Sequence, residues 1–218
     1  MASQKFQIFI VILAFLVTLS ATDIILPSLP SMTIYFEASE EAIQMVIPIY
    51  LLGSLLAAPI LGIFSDYFGR KPVMLSGMAI FLFGTAMCIY SSSLDFFLIG
   101  RFLQGYGAIV TSVVGWAQIQ DLYPTDESAK IMSLIGSVIC IAPLCAPGLG
   151  GYIHITYGWK ANFLFIFLLA IIVFILLYFS KTKVEIKSTK KKLSLLSILN
   201  IYINIITDKH FLCNISFF

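Results

Sequence analysis

The chain has 218 residues, of which 60% are hydrophobic and only 11% charged, with a formal net charge of +2. Soluble domains carry about 25% charged residues, so a water-soluble globule is excluded and lipid is the expected solvent. The four cysteines, Cys88, Cys140, Cys145 and Cys213, have no metal-ligand spacing, and they read as small buried hydrophobes rather than as a disulfide or metal framework.

Lys5 precedes an apolar run that reaches Leu26. A signal peptide would share the start, but its apolar region is normally about 7–15 residues, so an uncleaved first helix is expected. Spans are predicted over 6–26, 43–64, 73–91, 96–118, 130–152 and 161–180. Each is long enough to cross ~30 Å of hydrocarbon at 1.5 Å per residue. All are read as helices, because lipid-exposed backbone has no other way to pair its polar groups. The fold class is therefore an all-α membrane protein, a six-helix transmembrane bundle over residues 1–180. Residues 181–210 form a basic linker, whose apolar part from 193 to 206 reads equally as an amphipathic surface helix or a solvated connection. Residues 211–218 look like the start of a seventh span, too short at ~12 Å to cross.

Basic residues accumulate on the cytoplasmic side of membranes. Lys5, Arg70, Lys71, Lys130 and the lysines between 181 and 209 fall on one predicted side, against Lys160 alone on the other. Both termini are therefore expected in the cytoplasm.

Between the second and third spans lies Gly62-Ile-Phe-Ser-Asp66-Tyr-Phe-Gly69-Arg70-Lys71. Its glycines suit a tight reversal, and its bases hold the turn inside. Asp121, after the fourth span, is expected at the same membrane face as Arg70. The pair reads either as a latch between spans or as two solvated charges of little worth.

Two charges fall inside apolar spans, Asp23 and Arg101. Burying either costs at least about 2.5–3.5 kcal/mol, so each needs a partner, a wet cavity or a task. Both are expected about one turn from the outer ends of their spans, where they could face each other. Asp23 could equally snorkel to the interface. Arg101 is followed by Gln104-Gly105-Tyr106-Gly107, which favours a role. The fifth span carries Pro143 and then Ala146-Pro147-Gly148-Leu149-Gly150-Gly151. Two prolines four apart predict a kink, and the small residues admit a neighbouring backbone; the alternative is a helix that terminates at Pro147 near the surface. Aromatic residues such as Tyr50, Tyr106 and Trp116 are candidate contacts for an apolar substrate, or plain packing. His154 and His210 are isolated, and there is no nucleophile triad, HExxH, Walker or dinucleotide motif, so an enzyme is not expected and no cofactor is implied.

Four motifs in register resemble one family. Gly62-x-x-x-Asp66-x-x-Gly69-Arg70-Lys71 resembles the signature between helices two and three of the major facilitator superfamily, and Arg101-Phe-Leu-Gln104-Gly105-Tyr106-Gly107 its fourth-helix signature. Ala146-Pro147-Gly148-Leu149-Gly150-Gly151 resembles the antiporter signature of its drug/proton exchangers. Ala21-Thr22-Asp23-Ile-Ile-Leu26-Pro27-Ser28-Leu29-Pro30 is similar to the first helix of the bicyclomycin/chloramphenicol resistance (Bcr/CflA) branch. The resemblance covers residues 20–152 and implies a rocker-switch exporter of small hydrophobic drug-like molecules in exchange for protons, in a bacterial inner membrane. It implies that Asp23, Arg101 and Gln104 serve proton coupling or substrate binding. It further implies that Gly62, Asp66, Gly69, Arg70, Lys71 and Asp121 form a conformational latch, and that Pro143, Ala146, Pro147, Gly148, Gly150 and Gly151 make up the antiporter motif, whose segment from Gly148 to Gly151 seals against leak. The family has two six-helix halves with substrate between them, and this chain matches the amino-terminal one. The half could pair with a separately encoded second half, or with itself. The alternatives are a truncated or split-frame remnant without transport of its own, or a metabolite exporter on the same fold.

Overall fold

Prolines, serines and glycines punctuate the chain into helices. In the computed structural model, which describes residues 2–180, every regular element is helical. By contacts the chain divides at Ile186, and everything described belongs to its first unit. The expected linker at 181–210 and the stub at 211–218 lie outside the described residues.

Helix α1 (Ala2–Asp23) ends where Pro27 and Pro30 withdraw two backbone donors. The chain passes through a 3-10 turn at Leu26–Ser28 and restarts as α2 (Leu29–Phe36). The first apolar span thus runs to Phe36 rather than stopping at Leu26. Proline is tolerated in the first turn of a helix, so what reads as a stop in the sequence is a break within one span. Ser39 caps α3 (Glu40–Gln44) by accepting from the Ala42 amide. Helix α4 (Val46–Phe68) then meets α5 (Arg70–Ile89) through Gly69 alone. Gly69 has φ 93°, a conformation that costs glycine little and an L residue more. Ser93 caps α6 (Leu94–Leu122), the longest element.

The fifth span is two helices, α7 (Thr125–Ile139) and α8 (Ile141–Tyr157), broken at Cys140. The break falls one turn before Pro143. Pro147 lies inside α8, which continues ten residues beyond it to Tyr157 rather than ending there. Gly158, at φ 83°, turns the chain into α9 (Trp159–Phe179). The described residues contain six helical stretches long and apolar enough to cross a membrane. Their outer surface is apolar, with Leu55, Leu144 and Ile155 among many large exposed side chains.

Helix α6 is the centre. Gly53 of α4 lies against the Phe102 carbonyl, and Gly105 of α6 lies against the Tyr50 carbonyl, so no side chain separates α4 from α6. On another face, Gly84 and Gly107 bring the backbones of α5 and α6 together at Gln104, Gly100, Gly77 and Phe81. Lipid tails are as apolar as leucine, so close van der Waals packing and interhelical hydrogen bonds hold such a bundle. Ser54 Oγ donates to the Gly105 carbonyl at 2.9 Å across the first contact.

Candidate functional site

Burying a guanidinium requires acceptors on several sides; around Arg101 they meet Nε and Nη1, while the buried Nη2 has no protein acceptor. The residue is 0% exposed. Nη1 donates to Gln104 Oε1 at 2.6 Å, one turn along α6, and to the Ala21 carbonyl near the end of α1 at 3.1 Å. Nε donates to the Val46 carbonyl at the start of α4 at 3.4 Å. The Tyr50 ring lies 4.6 Å from the guanidinium carbon and the Phe163 ring 5.9 Å, so aromatic faces meet the cation where acceptors do not. Gln104 Nε2 donates to Thr85 Oγ1 at 2.9 Å, and Tyr50 Oη donates to the Thr18 carbonyl at 2.8 Å. One charge thus ties together α1, α4, α5, α6 and α9.

Asp23 does not join it. Among the described residues both ion pairs belong to Arg70, and the expected Asp23–Arg101 pairing is absent. Asp23 is the last residue of α1, at the break of the first span and well short of its end at Phe36. The guanidinium instead takes a carbonyl two residues earlier, because the unravelling of α1 frees its last carbonyls.

The break in α1 is also where α8 docks. Ala142, Ala146 and Gly150 form the buried face of α8. A methyl group on Gly150 would collide with the Ile24 carbonyl. Gly151 faces Pro27 at ordinary contact distance, while Gly148 faces open space. Pro143 sits in the first turn of α8 and Pro147 lacks the donor that would meet the Pro143 carbonyl.

At the far end of the bundle, Arg70 Nη1 lies 2.6 Å from Asp66 Oδ1, and Nε lies 2.8 Å from Asp121 Oδ2. Nη1 also donates to Ser65 Oγ. One guanidinium joins the end of α4, the start of α5 and the end of α6. Lys71 Nζ donates to the carbonyls of Tyr178 at 2.8 Å and Ser180 at 2.6 Å, closing off the end of α9. Gly62 lies within α4, one turn before Asp66.

Several polar contacts are not evident from the sequence motifs. Thr85 completes the Arg101–Gln104 chain. Asn162 Nδ2 donates to Ser28 Oγ at 3.0 Å and to the Gly150 carbonyl at 3.2 Å. Ser31 Oγ lies 2.9 Å from His154 Nε2, and Lys160 Nζ donates to Tyr35 Oη at 2.9 Å. A lone amide in the very apolar sixth span was the one available signal. No cluster of His, Cys, Asp or Glu among the described residues could hold a metal ion.

Comparison with known proteins extends these observations. The multidrug resistance protein MdtL of Shigella flexneri serotype 5b is 36% identical over 141 residues, which is 65% of this chain and 36% of MdtL. MdtL of Salmonella paratyphi C is 34% identical over 157 residues, 72% of this chain and 40% of the relative. The chain thus spans well under half the length of the curated relatives it matches. The xylose transporter XylE from E. coli, in a partially occluded inward open conformation, superposes with a TM-score of 0.72 at 17% identity, over 82% of this chain and 48% of XylE. The human organic anion transporter MFSD10 (TETRAN) gives 0.65 at 23% identity, over 80% and 46%. The Major Facilitator Superfamily profile matches residues 11–218. This multi-pass membrane chain therefore belongs to the Major Facilitator Superfamily.

Proposed function

We propose that this bundle is the amino-terminal half of a proton-coupled multidrug exporter of the Bcr/CflA type, working against a second six-helix half. The observation that carries the reading is the fully buried Arg101, held by Gln104, two carbonyls and the Tyr50 ring beside the broken end of α1. Such a charge is costly in a membrane, and a built cage of this kind marks an ion or substrate path rather than a packing accident. The relatives named as multidrug resistance proteins point to small drug-like cargo.

In this reading no covalent bond is made or broken. Asp23, unpaired at the break, carries the proton. Arg101 supplies a fixed positive field two residues from it, and Gln104 holds the guanidinium in place. The bundle rocks against its partner half and exposes the break alternately to each side of the membrane. Asp66, Arg70 and Asp121 hold the cytoplasmic face closed in one of the two states, with Gly69 setting the turn and Lys71 fixing the end of α9. Pro143, Ala146, Pro147, Gly148, Gly150 and Gly151 bend α8 and fit it to α1 as a seal. The Arg70 end faces the cytoplasm, by the distribution of basic residues, in a bacterial inner membrane.

The test is co-expression of the chain with the carboxy-terminal six helices of an MdtL relative in drug-sensitive bacteria. Efflux of a fluorescent cationic dye is expected to depend on the proton gradient and to fall at least tenfold with Arg101→Ala. Efflux that survives that substitution at the normal rate would remove Arg101 from the coupling. Efflux indifferent to the gradient would remove proton exchange altogether.

A further inference from the structure

The junction of the α1 break, α8 and α9 carries an interaction that neither the motifs nor the comparisons assign. Asn162, in the first turn of α9, is 0% exposed, and so is Ser28 in the 3-10 turn. The Asn162 side chain donates through Nδ2 to Ser28 Oγ at 3.0 Å and to the Gly150 carbonyl at 3.2 Å. No protein donor meets its Oδ1. The amide therefore holds the junction through its donor end alone. Gly150 is the same residue whose missing side chain admits the Ile24 carbonyl. One turn further along α8, His154 Nε2 lies 2.9 Å from Ser31 Oγ. The contact between the break and α8 thus brings backbone against backbone at Gly150, with Ala21, Ile24 and Ala146 packed beside it and polar bonds along one edge.

We propose that Asn162 is a positioning residue that clamps the seam between the α1 break and α8, and that release of its two donor bonds is what lets the seam part. The proposal rests on the alternating-access reading above. Van der Waals packing of Ala21, Ile24 and Ala146 holds the seam along its length. The Asn162 amide adds two hydrogen bonds to that packing, and losing both shifts a two-state equilibrium measurably toward the open seam.

The experiment uses the full chain in native membranes, with Cys88, Cys140, Cys145 and Cys213 replaced by serine. Ile24→Cys places one thiol in the seam, where Ile24 is buried. Ala57→Cys, in a separate chain, places one in the equally buried packing around α4. Labelling by a membrane-impermeant maleimide is then timed with and without Asn162→Leu. The Ile24→Cys rate is expected to rise about tenfold while the Ala57→Cys rate stays unchanged, the pattern of one local opening. Ser28→Ala removes one acceptor and leaves Gly150, so about a threefold rise is expected; this variant decides the matter if Asn162→Leu does not insert. An unchanged Ile24→Cys rate overturns the proposal, and so does an equal rise at both sites, which would mean general loosening. Labelling needs no transport. Absence of dye efflux with a normal labelling pattern would remove the exporter reading and leave the clamp.

Discussion

At the scale of single residues, burial separates two arginines that look alike in the sequence. Arg101 has no exposure and three kinds of neighbour: backbone carbonyls, an amide oxygen and aromatic rings. Lysine there would present a compact ammonium in place of a planar fork, and could not serve the Ala21, Val46 and Gln104 acceptors together. Arg101→Lys is expected to cost about 1–3 kcal/mol, with lost partners left buried, read as a lower melting temperature of the purified chain in detergent. Arg70 is bonded as fully, but its partners are open: the Asp66 side chain is 66% exposed and that of Asp121 38%. Asp121→Asn is therefore expected to change the same melting stability by less than about 1 kcal/mol. Any larger effect should appear in which face of the chain is accessible. Arg101 and Gln104 were legible in the sequence because polar groups in an apolar run demand an explanation. Thr85 was not, because a threonine can satisfy itself on its own helix, as Thr85 also does with the Phe81 carbonyl at 2.7 Å.

At the scale of elements, glycine contacts differ sharply in what they tolerate. Gly105 faces backbone, the Tyr50 carbonyl, which cannot yield without moving α4. Gly105→Ala is expected to destabilise by about 1–3 kcal/mol, the usual cost of forcing atoms into a filled interface. Gly148 faces open space, and Gly148→Ala is expected to stay within about 0.5 kcal/mol in the same melting assay. Helix number and order follow from the length and polarity of the apolar runs, so these were legible. The internal breaks were less so. Pro27 and Pro30 look like the end of a span, and only the continuation of apolar residues to Phe36 reveals a single span with a gap. In the fifth span the prolines correctly signal irregularity, but the break itself falls at Cys140, ahead of both. A proline's ring clashes with the turn before it, so disruption is felt upstream of the residue that causes it.

For the whole molecule, the proposed orientation, with the Arg70 end in the cytoplasm, rests on the distribution of lysine and arginine. Tyr67 and Tyr157 lie at opposite ends of the bundle and are 70% and 79% exposed. Single cysteines at these positions are expected to be labelled from opposite faces, Tyr67→Cys only from inside and Tyr157→Cys from outside. Labelling of both from one face would invalidate the orientation. The pairing of Asp23 with Arg101 could not be judged at this scale from sequence, because it depends on where α1 unravels rather than on matching depths. The double approach of glycines around α6 has a mechanical consequence. With α4 and α5 each resting backbone to backbone on the same axle, none of the three can slide or turn without dragging the others. They form a stiff chassis, and any bending within the bundle falls to the broken first span and the cracked fifth.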